Sequence, residues 1–138
     1  MFEEVKYLIH IDQKAYTTYY LFQKTDKILL PIQIPTHQYY RLCDFQPNQP
    51  DTLDTLKTAI FSLDGQVVNI KIYLYLDRCY YSYISIEKNG QTMEINSGLY
   101  DAINLAVSLK APILIEKNIL KECGYKITKK MIEQVLLG

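Results

Sequence analysis

Apolar and aromatic residues fall into short runs through the first third of the chain. Val5–Ile11, Thr17–Phe22 and Ile28–Ile34 are rich in β-branched and aromatic residues, and Asp12-Gln13-Lys14 and Gln23 to Lys27 break them apart. This pattern predicts three strands joined as two antiparallel hairpins in series. Pro31 interrupts the third run. A proline has no N–H to give a ladder, so it marks an edge or a bulge. Pro35 ends that strand, a short helix is predicted over 36–44, and the Pro-rich stretch 45–51 reads as a loop. Thr52 then caps a helix whose Leu53, Leu56, Ile60 and Leu63 share one face, and Asp64-Gly65 stops it.

The period returns to two at Val68, Ile70, Ile72, Leu74 and Leu76, which alternate with Asn69, Lys71, Tyr73 and Tyr75. Asp77-Arg78 turns the chain, Cys79–Glu87 runs back, and Asn89-Gly90 signals a primed hairpin into Gln91–Ile95. Asn96-Ser97-Gly98 opens a helix with Leu99, Ala102, Ile103, Ala106 and Val107 on a broad apolar face, which predicts a buried central helix. Lys110-Ala111-Pro112 ends it. A short strand, Ile113–Ile115, follows, then a helix over Glu116–Glu122 stopped by Gly124 and a helix or tail over Thr128–Leu137. Strand clusters separated by helices, without strict βαβ alternation, predict an α+β fold. Its sheet is mixed and mostly antiparallel, with a buried central helix and peripheral helices. No linker or solenoid repeat divides 1–138, so one domain is expected.

Composition narrows the function classes. The 138 residues are 49% hydrophobic, and fifteen basic residues balance fifteen acidic ones. Zero net charge excludes a globally basic nucleic-acid binder. No apolar run is long enough to span a membrane, and the start Met1-Phe2-Glu3-Glu4 is acidic where a signal peptide is basic, so a cytoplasmic chain is expected. Cys43, Cys79 and Cys123 lie far apart with no C-x-x-C, which argues against a disulfide framework or zinc site. Thirteen tyrosines and no tryptophan suit half-exposed sheet faces; base stacking is the sharper alternative.

No P-loop, Rossmann glycine pattern, G-x-S-x-G or H-E-x-x-H occurs. His10, between Ile9 and Ile11, reads as a sheet residue; His37, after Pro35-Thr36, reads as more exposed. Asp44, Asp51, Asp54 and Asp64 stand against Lys57 alone in 42–64, and Asp101 falls in the first turn of the central helix. Two or three convergent carboxylates can bind a divalent cation for phosphodiester hydrolysis, while carboxylates in first turns also stabilise a helix with no ligand. Six lysines against three glutamates after residue 104 make a solvated face or a phosphate-contacting patch.

The order of features resembles the bifunctional nuclease family. Leu30-Pro31-Ile32-Gln33-Ile34 is similar to its "L-P-I-W-I-G" strand, and Pro50-Asp51-Thr52-Leu53-Asp54-Thr55-Leu56 falls at its "R-P-L-T-H-D-L-L". Ile95 to Ala106 resembles "V-D-A-R-P-S-D-A-I-A-L-A", Lys110-Ala111-Pro112-Ile113 resembles "G-A-P-I", and Glu122-Cys123-Gly124 resembles "E-A-G". The resemblance covers about 28–125, leaving 126–138 as a C-terminal helix or tail. It implies a nuclease acting on DNA and RNA, with Asp54 and Asp101 as the surviving catalytic carboxylates. Thr52, Gln38 and Asn96 would be substrate-binding positions, and Mg²⁺ or Mn²⁺ a candidate cofactor.

The departures point to an eroded site. The family's His is Leu53, its Arg and Pro are Gly98 and Leu99, its Ser is Tyr100, and two carboxylates are Gln38 and Asn96. A lost His removes the proton shuttle near neutral pH, and a lost Arg removes a planar phosphate clamp. The alternative is therefore a catalytically inactive binding or assembly domain of the same fold. Nucleic acid and a second copy of the chain, as a homodimer, are the expected partners, and a membrane is not. A small-molecule pocket lined by Tyr39, Tyr40 or Tyr100 is a weaker third reading. Asp101 is expected mostly buried, hydrogen-bonded to backbone N–H groups at the helix start or to Thr52, so that Asp101→Asn costs about 1–3 kcal/mol.

Overall fold

The computed structural model describes residues 1–35 and 52–137. The helix expected over 36–44, the loop over 45–51, and His37, Gln38, Tyr39, Tyr40 and Cys43 lie outside the described residues. Eight strands form one sheet: β1 (Phe2–Asp12), β2 (Tyr16–Gln23), β3 (Ile28–Pro35), β4 (Gln66–Leu76), β5 (Cys79–Lys88), β6 (Gln91–Ser97), β7 (Ile113–Glu116) and β8 (Tyr125–Lys126). Their order is β6-β5-β4-β7-β1-β2-β3-β8. Every pairing is antiparallel except β4 with β7. The described helices are α1 (Thr52–Ser62), α2 (Leu99–Leu109), α3 (Lys117–Cys123) and α4 (Lys129–Leu137). This is the α+β fold that the strand clusters predict.

β1 holds the sheet together by serving two neighbours. Phe2–Val5 pair with β7, and from Lys6 onward the strand pairs with β2 through a register shift between Tyr7 and Ile9. β3 pairs with β2 along its length but with β8 only at Ile28 and Leu29, so Pro31 lies where the outer side of β3 has no strand beside it among the described residues. The two tight hairpins are of the primed type: Asp77 and Arg78 have φ of 52° and 64°, and Asn89 and Gly90 have 53° and 76°.

Several apolar positions depart from the strict pattern. β4 carries register shifts between Val67 and Asn69 and between Ile72 and Leu74. Each bulge reverses the inward phase, so Val67, Ile70, Ile72 and Tyr75 meet the core while Leu74 and Leu76 are 40% and 53% exposed. On α2, Leu99, Ala102, Ile103 and Ala106 are buried as expected, but Leu105 replaces Val107 as the fifth buried residue. α1 packs on that flank and Lys57 reaches Ser108, one turn beyond Leu105. Leu63 lies past the end of α1 and is exposed.

The core is the layer between α2 and the sheet, with Leu21, Leu30, Ile32, Ile70, Ile72, Ile103, Leu105 and Ile115 fully buried. Among the described residues no helix is long and apolar enough to cross a membrane.

Candidate active site at the start of the central helix

α2 begins without a side-chain cap. Gly98 occupies the N-cap with φ −59° and ψ 145°, and no side-chain oxygen reaches the first turn. Ala102 N–H donates to Gly98 C=O at 3.0 Å, the bond that opens α2. Among the described residues, a Cβ built on Gly98 would meet only Asp101 Oδ2, at 4.0 Å. The partial positive charge of the helix start makes it a natural place for an anion.

Asp101 is the third residue of α2 and is half-buried. Burial raises its carboxyl above the ordinary carboxylate range. The hydrogen bond expected for it does not form with any described residue; its Oδ2 lies 4.0 Å from where a Cβ on Gly98 would stand. The carboxylate is thus partly desolvated without a compensating donor, an arrangement that a cation relieves.

The other expected site residues do not gather there. Asp54 is exposed in the first turn of α1, 3.9 Å from Lys57 Nζ, and Lys57 donates a 2.7 Å hydrogen bond to Ser108 Oγ near the end of α2. Seven residues of helix separate Ser108 from Asp101, roughly 10 Å of rise. Thr52 is the exposed first residue of α1. Asn96 sits opposite Tyr83 on β6 and accepts a 3.1 Å hydrogen bond from Tyr73 Oη. Tyr83 alternates with the buried Ser82 and Ile84, so Asn96 lies on the sheet face away from α2. Asp101 is therefore placed at the helix start, Asn96 is on the other side of the sheet, and Asp54 is tied to a neighbour at the far end of α2.

A second polar group, which the sequence reading reduced to a sheet histidine, flanks α2. The Tyr7 hydroxyl bonds His10 Nδ1 at 2.5 Å, His10 Nε2 lies 4.0 Å from Asp12 Oδ2, and Thr17 Oγ1 donates to Asp12 Oδ1 at 2.8 Å. The buried Tyr19 ring packs 5.4 Å from His10 and accepts a 3.0 Å hydrogen bond from Asn104 Nδ2, which also donates to Tyr100 C=O. Burial pushes the Tyr19 phenol up to about 12, and burial, reinforced by the charge of Asp12, raises Tyr7. Tyr7 thus keeps its proton and shares a hydrogen bond with Nδ1, while Nε2 faces Asp12. The sequence signal was the i, i+2 spacing of His10 and Asp12, which puts both on one strand face.

Among the described residues no three of His, Cys, Asp and Glu are grouped so as to hold a metal ion. One carboxylate together with substrate phosphate oxygens is a common way of holding Mg²⁺, and Asp101 fits that smaller role. The fold and this helix start define an α+β domain with an acidic residue at an anion-attracting turn. The chain matches the bifunctional nuclease domain family over residues 20–128, most of its length, and belongs to that family. No curated protein matches it.

Proposed function

We propose that this domain acts on nucleic acid as a phosphodiester hydrolase, with the reaction centred on Asp101 at the start of α2. The observation that carries the reading is the half-buried Asp101 carboxylate, without a hydrogen-bond partner among the described residues, in the first turn of α2. The positive end of the α2 dipole would attract a phosphate oxygen, and Asp101 would hold Mg²⁺ or Mn²⁺. Such an ion, when bound, polarises the phosphoryl group and lowers the pKa of its water. Asp54 and Asn96 are not needed at that centre; Asp54 orients Lys57, and Asn96 belongs to the opposite sheet face. The test is cleavage of labelled single-stranded DNA and RNA by the purified chain with Mg²⁺ or Mn²⁺, in parent and Asp101→Asn.

A second reading, an inactive binding or assembly domain, draws on the placement of Asn96. Its bond to Tyr73 belongs to an aromatic face where Tyr73 and Tyr83 stack at 4.9 Å and Lys71 lies over both Phe2 and Tyr83. That face suits base stacking. Retention of oligonucleotide by the parent without any cleavage, lost on Tyr73→Ala and unchanged in Asp101→Asn, would favour this reading over hydrolysis. A homodimer is proposed along the β6 edge, where Met93 and Ile95 are each 49% exposed, and light scattering of the purified chain tests it.

A further inference from the structure

The sheet opens where β1 leaves β7. Their pairing ends at Val5 with Ile113, and from Lys6 onward β1 pairs with β2. The notch between the diverging strands is closed from one side by the last turn of α2, and it forms a cavity of about 530 Å³. Its wall includes Lys6, Lys110 and Tyr7, with Glu4 as the one carboxylate. Lys6 lies 3.6 Å from Glu4, their side chains 68% and 53% exposed, so two lysines of the lining stand against one acid. Lys110 is held at φ 56°, a left-handed conformation that a glycine would take with less strain. Tyr7 joins the cavity to the chain of groups beyond it, because its hydroxyl bonds His10, which faces Asp12.

We propose that this notch binds a phosphate-bearing ligand of nucleotide size, with Lys6 and Lys110 flanking the phosphate and Tyr7 on its wall. Two point charges on flexible stems suit a phosphate, and the volume lies within the roughly 300–1,000 Å³ of small-molecule sites. The phosphate could be that of a free nucleotide or of a nucleic-acid strand; the chemistry recognised is the same. Asp101 is not part of the cavity wall, so the site stands apart from the proposed hydrolytic centre.

Calorimetric titration of the whole chain with inorganic phosphate, AMP and a 5′-phosphorylated thymidine octamer tests this. Binding of AMP or the octamer is expected to weaken at least tenfold in Lys110→Gly and severalfold in Lys6→Gln and Tyr7→Phe. Lys14→Gln, an exposed charge in the β1–β2 turn, should bind as the parent does. Lys110→Gly relaxes the backbone, so weaker binding there is not loss of fold. Comparable binding of AMP and the octamer marks a nucleotide site, and binding of the octamer alone marks a strand site. No binding by AMP or the octamer, no gain over inorganic phosphate, or unchanged affinity in Lys110→Gly overturns the proposal.

Discussion

Gly124→Ala probes the closest approach in the fold. Gly124 follows α3 with φ −85° and ψ 162°, an extended conformation open to any residue, so the glycine is not required by its dihedrals. Space requires it. A Cβ at this position would lie 2.3 Å from Ile28 Cγ2 and 2.6 Å from Leu120 C=O, while Gly124 N–H already bonds that carbonyl at 2.9 Å. The Ile28 methyl could rotate aside, but the carbonyl belongs to α3, whose Leu120 is 1% exposed. Overpacking of this kind costs about 1–3 kcal/mol, and the lower entropy of alanine in the unfolded chain returns roughly 0.4–1 kcal/mol. The net loss should be about 1–2 kcal/mol, lowering Tm by roughly 3–8 °C in a chain of this size. Urea unfolding followed by circular dichroism measures it. Ile28→Ala in the same background should recover only part of the loss, because the backbone clash persists. A Gly124→Ala protein within about 0.5 kcal/mol of the parent would refute the reasoning.

Three further outcomes follow from burial and bonding. Asn104→Ala removes the donor to the 2% exposed Tyr19 hydroxyl and should cost about 1–3 kcal/mol, more than Tyr19→Phe, which leaves Asn104 its bond to Tyr100 C=O; equal losses would contradict this. Leu105→Ala, at a fully buried site, should cost about 2–5 kcal/mol, whereas Val107→Ala, at a 39% exposed one, should cost under about 1 kcal/mol, both by chemical denaturation. Because burial raises the folded Asp101 carboxyl above its ordinary 3.8, the native state binds the proton more tightly than the unfolded chain does. Its contribution to stability therefore falls as pH rises through the window from 3.8 to the raised value. Asp101→Asn should flatten that slope and be at least as stable as the parent at neutral pH, the reverse of the loss expected for a hydrogen-bonded carboxylate.

The elements were legible because each carries a local signal: the period-two runs of β1 to β5, the Asn89-Gly90 hairpin, and the apolar stripe of α2. What stayed hidden depends on long-range contacts. The bulges in β4 leave the sequence alternation intact while changing which side chains face inward, so Leu74 and Leu76 read as core. Leu105 is fully buried although it falls outside the apolar face that the spacing within α2 defines. β8 is two residues long and exists only through its pairing with Ile28 and Leu29. Asp101 was placed in its turn by the helix pattern, but its lack of a described hydrogen-bond partner depends on where its carboxylate lies relative to Gly98. His10 was read from its two isoleucine neighbours in sequence. Its surroundings come from Tyr7 across a register shift, Asp12 two residues on, and Tyr19 on the adjoining strand.

The central claim is that Asp101 serves hydrolysis of nucleic acid, and single-turnover cleavage of a fluorescent single-stranded oligonucleotide tests it most directly. With Mg²⁺ or Mn²⁺ the parent should cut, and Asp101→Asn, shown folded by its unfolding curve, should lose at least a hundredfold in rate while Asp54→Asn stays within a few-fold. Cleavage by Asp101→Asn at the parent rate, or a folded parent that cuts neither DNA nor RNA with either metal, would contradict the account.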